Sequence, residues 1–353
     1  RSGELFLFLF FAGKKRKEIL RFKKSCIFAP TESATLPEEQ RTRAGLLFYT
    51  NMPKNYTKPP ISISEQIHTL KERGLVIDDI PFAEKTLGEI SYFRFAAYLR
   101  PMENDKVTHH FKINSTFENA VQLYNFDSEL RKIIFNALQH IEVAIRAKVI
   151  QNFSINYGPF WFMDEKLFRD KEKYTDNYNS IIREIKRSKE DFIIEHFTKY
   201  DQPSYPPAWK TIELCSFGTL SKLYYNFSDN KIKKKIAHQF NLPNHVVLES
   251  WLRSFTLLRN YCAHHARLWN RLFNASPQLN VKLRGQWIVN QEINPNKLYA
   301  LLCCIVYCLD TLVLSKSNEF KKDLKMLFTT YKSVDTNAMG FTKEWEREPL
   351  FRT

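Results

Sequence analysis

Residues 115–153, STFENAVQLYNFDSELRKIIFNALQHIEVAIRAKVIQNF, carry a sustained helical pattern. Apolar side chains recur here every three or four positions, the spacing that places them on one face of an α-helix. Ser115 and Glu118 have the spacing of a capping box, and NYGPFWF at 156–162 interrupts the pattern. The sequence therefore predicts a long central helix, either continuous or broken near Asp127.

The segments on both sides of this helix are also helical in pattern. Upstream, SISEQIHTLKERGL at 62–75 opens with a capping box between Ser62 and Glu65, and short helices are predicted within 82–90 and 91–102. Downstream, helices are predicted within 166–200, 210–227, 229–240, 243–273 and 298–314. Since no alternating strand pattern and no repeat of 20–50 residues accompanies them, the predicted fold class is all-α.

Four regions are predicted along the chain. Residues 1–51 combine an apolar cluster, a basic run and a polar tract without a common period. Since Met52 is the first methionine, we expect them to be disordered or a non-native upstream extension; a flexible basic arm is the alternative. An N-terminal helical region at 52–114, a helical domain at 115–330 and a C-terminal tail at 331–353 complete the predicted organisation.

Composition indicates the class of partner and the compartment. Lysine and arginine outnumber aspartate and glutamate by 53 to 38, and a formal charge of +15 favours a polyanionic partner. The six cysteines form no matched CxxC pairs, which argues against zinc fingers and disulfide frameworks and favours a cytoplasmic location. The apolar segment at 298–314 includes Asp310 and is short for a membrane span, so no stable membrane insertion is predicted.

The segment LLRNYCAHHARLWNRLF at 257–273 has an unusual density of ionisable side chains. Charged groups are costly to bury unless they are paired or functional, so this density needs an explanation. If the whole segment is one helix, Asn260, His264, Arg267 and Arg271 form a polar stripe. The stripe predicted to face the core consists of Leu258, Tyr261, Leu268 and Leu272.

The hexapeptide from Arg259 to His264, RNYCAH, matches the arginine, polar residue, three residues and histidine of HEPN-domain ribonucleases. The longer string LRNYCAHHARLWN resembles the signature of Abi-like bacterial abortive-infection proteins of the AbiD/AbiF type. The resemblance covers about residues 52–330. Further segments that resemble such proteins, in the same order, lie at 56–75, 90–101, 123–149 and 206–224.

The resemblance implies a HEPN-like helical bundle with additional helices. It also implies a bacterial anti-phage defence protein that acts as a toxin by attacking cellular or phage RNA. Some relatives of the AbiF type are associated with a small noncoding RNA, which is therefore a possible partner. HEPN nucleases commonly pair two motifs across a dimer, so the resemblance implies a homodimer.

Chemistry assigns roles to the residues of this motif. RNA carries its own nucleophile, the 2′-hydroxyl, so a metal-independent endoribonuclease needs a proton acceptor, a proton donor and a cation on the phosphate. Histidine suits proton transfer, and arginine binds phosphate. We therefore predict His264 as general acid/base, Arg259 as phosphate stabiliser and Asn260 as an orienting hydrogen-bond partner. His265, which gives an R-x5-H spacing, is the reserve candidate.

Other cations extend this predicted RNA surface. The predicted RNA-binding residues are Arg267, Arg271, Lys231, Lys233, Lys234 and Lys235. The alternatives are carboxylate pairing for the two arginines and a solvated helix face for the lysines. Glu142 is a minor candidate for the site, although an intrahelical pair with Arg146 explains it more simply.

Several alternatives stay open. Arg259 and Asn260 could cross-link helices, with His264 as an interface residue. A non-catalytic RNA-binding module would use the same basic surface to hold RNA, and a nucleotidyl- or AMP-modified scaffold of a toxin–antitoxin pair is a third possibility. No metal site is predicted, because no matched ligand set accompanies His109 and His110, and no cofactor is predicted, because no nucleotide-binding glycine motif is present.

Overall fold

α-Helices and short 3-10 turns account for the regular structure of the chain wherever it is described. A computed structural model describes residues 57–290, 292–312 and 316–352, and these contain three isolated β-bridges but no strand. The all-α prediction is confirmed. The predictions for residues 1–51 lie outside the described residues. Ile61–Thr353 form one compact unit.

Within the described residues, three helices precede the central one: α1 (Ile63–Glu72), α2 (Ile80–Ile90) and α3 (Tyr92–Leu99). The predicted capping box starts α1, because the Glu65 amide donates to Ser62 Oγ at 3.3 Å and the Ser62 amide donates to Glu65 Oε2 at 2.6 Å. Each bond satisfies a polar group near the helix start. These helices bury a cluster with the start of the next helix that includes Ile67, Leu70, Leu87, Phe95, Leu99 and Phe117.

The predicted central helix is continuous. This helix, α4, spans Phe117–Tyr157, 41 residues without a break at Asp127. Its N-cap is Thr116, whose hydroxyl accepts the Asn119 amide at 3.1 Å, so the predicted cap at Ser115 is wrong by one residue. Ser115 is buried and donates to the Met102 carbonyl instead.

Eight further helices complete the described part of the chain: α5 (Lys171–Arg187), α6 (Asp191–Lys199), α7 (Ala208–Thr211), α8 (Phe217–Asn226), α9 (Asn230–His238), α10 (His245–Ala263), α11 (Leu298–Asp310) and α12 (Ser317–Thr330). The central helix α4 packs against α3, α9, α10, α11 and α12. Because α4 has helices on several sides, it buries apolar residues along its whole length, from Phe117 to Phe153. None of the described helices is long and apolar enough to cross a membrane.

The C-terminal residues complete the core around α11. Every residue of Leu298–Leu309 is buried, as expected for the most apolar helical segment. Beyond α12, Trp345 contacts Phe341 and Phe351 edge to face, and both phenylalanines also contact Tyr299 of α11. Burial of these aromatic rings attaches residues 337–351 to the helical bundle.

Candidate functional site

Helix α10 carries the first part of the motif and ends inside it. Its last residue is Ala263, His264 is the C-cap, and His265 has a positive φ of 53° that no continuing helix allows. The predicted helix to Phe273 is therefore wrong beyond Ala263, and so is the predicted stripe through Arg267 and Arg271. Leu272, which was predicted to face the core, is exposed.

A buried carboxylate explains why the helix ends here. Asp127 of α4 accepts the backbone amides of Leu268 at 3.1 Å and Trp269 at 2.6 Å, which a continuing helix would direct to its own carbonyls. Asp127 also accepts the Tyr98 hydroxyl at 2.7 Å and the Arg131 guanidinium at 2.5 Å. Burial raises the pKa of the Asp127 carboxyl, and these donors oppose that rise.

Arginines hold the rest of the loop that follows α10. Arg94 of α3 donates to the His265 carbonyl at 2.6 Å, and Arg267 donates to the Ala97 carbonyl at 2.8 Å. Arg271 donates to the Arg267 carbonyl at 2.5 Å and lies over the Tyr261 ring at 4.4 Å. Burial lowers the pKa of Arg267. Among the described residues, Arg267 and Arg271 therefore contact backbone carbonyls and an aromatic ring, and neither forms the predicted alternative, an ion pair with a carboxylate.

Arg259 lies on α10 and contacts the central helix. Its Nε donates to Glu142 Oε2 at 3.3 Å, its Nη2 donates to Glu142 Oε1 at 3.4 Å, and its Nη1 donates to Asn260 Oδ1 at 3.1 Å. Its side chain is 23% exposed. Bonds to described residues use three of the five N–H donors of this guanidinium, and the other two have no acceptor among those residues.

Glu142 joins two arginines. As expected, it pairs with Arg146 one turn later on α4, at 2.9 Å, and it also contacts Arg259 from α10. Arg146 in turn donates to backbone carbonyls of the connection between α7 and α8, those of Glu213 at 3.3 Å and Cys215 at 2.8 Å among them. This ionic cluster therefore links α4, α10 and the α7–α8 connection.

A surface cleft of about 240 Å³ opens over this cluster. It is lined by Phe135, Gln139, Glu142, Val143, Arg146 and Arg259. The first five lie on α4 at spacings of three, four or one residues, so one face of that helix forms most of the cleft. Arg259 is the contribution of α10.

His264 and His265 are both exposed at the end of α10. The His264 amide bonds the Asn260 carbonyl at 3.0 Å, which continues the last turn of the helix. Within the described ranges, neither imidazole has a hydrogen-bond or ionic partner. Both rings are therefore accessible to a ligand.

A family model described as Abi-like protein matches residues 85–270, more than half of the chain. The chain belongs to the Abi-like family. The match includes helix α4, helix α10 and the loop with both histidines. No curated protein and no solved structure matches the chain. Membership of the Abi-like family supports a role in abortive infection.

The lysines of α9 divide into two groups in this Abi-like protein. Lys231, Lys234 and Lys235 are exposed, as an RNA-binding surface requires. Lys233 is buried and pairs with Glu249 at 2.7 Å, and it donates to the Phe227 carbonyl at 3.1 Å. Burial lowers its pKa. The predicted RNA contact of Lys233 is therefore wrong, since its side chain points into the fold.

Two carboxylates of the Abi-like protein make contacts that the sequence does not predict. The sequence indicates Asp127 only as a possible break in α4, and Glu142 only as a minor candidate for the site. The signal for Asp127 was an acidic residue among apolar core positions, four residues before Arg131. No local spacing signals the contacts that Glu142 and Asp127 make with residues 117 and 141 positions away.

Proposed function

We propose that this Abi-like protein is a HEPN-type endoribonuclease that acts in abortive infection without a metal ion. The observation that supports the proposal is the arrangement at the end of α10. Arg259 lines a cleft and has two N–H donors that no described residue occupies. Asn260 accepts a hydrogen bond from its guanidinium, and His264 is exposed at the end of the helix. These are the groups that cleavage by the 2′-hydroxyl requires.

The proposed reaction transfers the phosphoryl group within the RNA. A base removes the proton of the 2′-hydroxyl, and the 2′-oxygen attacks the adjacent phosphorus. The bond from phosphorus to the 5′-oxygen breaks, and an acid supplies a proton to that oxygen. The products are a 2′,3′-cyclic phosphate and a 5′-hydroxyl.

Each motif residue has one role in this reaction. His264 transfers a proton, and Arg259 binds a phosphate oxygen as negative charge grows there. Asn260 orients Arg259 through the bond to Nη1. His265 remains the reserve for proton transfer because its ring is also accessible. One imidazole cannot easily act as base and acid in the same step, so we propose a homodimer in which two motifs meet.

The test is incubation of the full chain with total bacterial RNA in EDTA, for the unmodified protein, His264→Ala and His265→Ala. We expect the unmodified protein and His265→Ala to cut RNA and leave 2′,3′-cyclic phosphate ends. His264→Ala should bind RNA with unchanged affinity but not cut it. Equal cutting by His264→Ala would contradict the role of the histidine.

A second outcome would favour the other function class. If the unmodified protein and His264→Ala both shift RNA on a gel and neither cuts it, the protein is a non-catalytic RNA-binding module. The exposed lysines Lys231, Lys234 and Lys235 would then account for binding.

A further inference from the structure

The cleft beside Arg259 has an apolar side that the proposed cleavage step does not use. Phe135 is 40% exposed and Val143 is 59% exposed, and both lie on the face of α4 that lines the cleft. The ring of Phe135 has no aromatic or cationic partner within the described residues. An aromatic ring beside a phosphate-binding guanidinium is a combination that suits a nucleotide.

The charged side chains that line the cleft leave one positive charge in excess, which suits a single phosphate. Arg146 and Arg259 contribute two positive charges and Glu142 contributes one negative charge, while Glu213 lies outside the lining with its carboxylate 3.7 Å from Arg146. A second phosphate would meet no excess positive charge here. An uncharged, flat group is therefore better suited to the space between these charged side chains and Phe135.

Size and polarity narrow the identity of that group. The volume of about 240 Å³ is below the roughly 300–1,000 Å³ of pockets for drug-sized ligands, so it suits a single ring system. Gln139 also lines the cleft, and its amide has no hydrogen-bond partner in the described part of the chain. A side-chain amide offers both donors and an acceptor to the edge of a base.

We infer that this cleft is a nucleobase subsite, in which one base of the RNA stacks on Phe135 while a neighbouring phosphate binds Arg259. Gln139 reads the edge of that base. The inference rests on the proposed function and adds to it a preference for particular nucleotides at one position beside the cleaved bond. Stacking on Phe135 supplies affinity, and Gln139 supplies discrimination.

The cleavage test compares short RNA substrates that differ in one nucleotide beside the cleaved bond. Phe135→Ala should lower kcat/KM by roughly 5- to 150-fold, the fold-change that corresponds to loss of one base–aromatic stack. Phe135→Trp should restore it. Gln139→Ala should reduce the preference among the four nucleotides. The matched control is Phe197→Ala, which removes a phenylalanine of similar exposure on α6 and should leave kcat/KM and nucleotide preference unchanged.

A binding test separates this inference from the proposed function. In the His264→Ala background, an RNA oligonucleotide with 2-aminopurine at the subsite position should lose fluorescence on binding, because stacking quenches that base. Phe135→Ala should abolish the quenching, and Phe197→Ala should retain it. Quenching that depends on Phe135 supports the subsite even if the unmodified protein cuts no RNA. Absence of cutting would contradict the proposed nuclease function but not the subsite.

Two results would overturn the subsite. The first is that the unmodified protein cuts RNA and that Phe135→Ala matches it in kcat/KM, in nucleotide preference and in quenching of 2-aminopurine. The second is a change of oligomeric state in Phe135→Ala by light scattering, with equal loss of cleavage on every substrate. That result would assign the cleft to contact with a second copy of the chain.

Discussion

At the scale of single residues, Glu142 is the carboxylate that connects the proposed phosphate-binding arginine to the rest of the fold. It is 17% exposed and lies between two guanidinium groups. Removing its charge leaves Arg146 and Arg259 close together without the anion that separates them. Their repulsion adds to the loss of charge-assisted hydrogen bonds.

Replacement of Glu142 tests this role. We expect Glu142→Gln to lower the free energy of unfolding by about 1–3 kcal/mol, measured by urea titration. The control is Glu129→Gln on the same helix, which breaks an exposed i,i+3 pair with Lys132 and should cost about 0.2–0.5 kcal/mol. Equal effects of the two substitutions would show that Glu142 behaves as an ordinary surface residue.

Asp127 controls the position of the histidine-bearing loop. In Asp127→Asn, Arg131 loses its buried anionic partner, and the amides of Leu268 and Trp269 lose a charged acceptor. We therefore expect the free energy of unfolding to fall by about 3–5 kcal/mol. Tyr98→Phe removes one hydrogen-bond donor to the same carboxylate, and we expect it to lower the free energy of unfolding by about 1 kcal/mol.

Amide hydrogen exchange measures the effect on the loop directly. The amides of Leu268 and Trp269 should exchange slowly in the unmodified protein and fast in Asp127→Asn, while amides in the middle of α11 change less. Tyr98→Phe, which has the milder expected cost, provides the same readout if Asp127→Asn does not fold. Unchanged protection of both amides in both variants would contradict the anchoring role of Asp127.

At the scale of secondary-structure elements, helix α9 shows that a run of lysines can serve two purposes. Lys233 neutralises Glu249 inside the fold, whereas Lys234 is exposed on the same helix. We expect Lys233→Met to lower the free energy of unfolding by about 3 kcal/mol or more, because the ion-pair partner that Glu249 keeps among the described residues is Arg169, at 4.0 Å. Lys234→Met should change it by less than about 0.5 kcal/mol.

RNA binding should respond in the opposite way. If Lys234 contacts phosphate, Lys234→Met weakens RNA binding. The slope of log affinity against log salt concentration should then become less steep by about the amount that one phosphate contact contributes. Folded Lys233→Met should keep the salt dependence of the unmodified protein. The reverse ranking would indicate that the buried pair opens when RNA binds.

The start of α1 could be predicted from the sequence, whereas the end of α10 could not. The start of α1 depends on Ser62 and Glu65, which are three residues apart and make reciprocal bonds. The end of α10 depends on Asp127, which is 141 residues from Leu268. Local spacing contains the first kind of information and lacks the second, so the helical pattern was extended beyond Ala263.

At the scale of the whole molecule, the fold class follows from local sequence patterns, whereas the surroundings of the candidate site depend on contacts between distant residues. Apolar periodicity predicted a long central helix inside an all-α fold, because apolar residues that are buried recur along the whole length of α4. The motif residues Arg259, Asn260 and His264 lie in one short string, so the sequence alone suggests them as a candidate site. Their surroundings could not be predicted, because Phe135 and Glu142 reach the site only when α4 and α10 pack together.

Mixed dimers test whether two motifs form one proposed catalytic site. If each chain cuts RNA alone, a dimer of one unmodified chain and one His264→Ala chain should keep about half the activity of the unmodified dimer. If one histidine acts as base and its partner as acid, the mixed dimer should lose most of its activity, because every site lacks one proton-transfer group. We expect the second result. Two affinity tags on co-expressed chains isolate the mixed dimer, and light scattering confirms its mass. The initial cleavage rate in EDTA decides between the two arrangements. Half activity, or a monomeric protein that cuts RNA, would contradict the shared site.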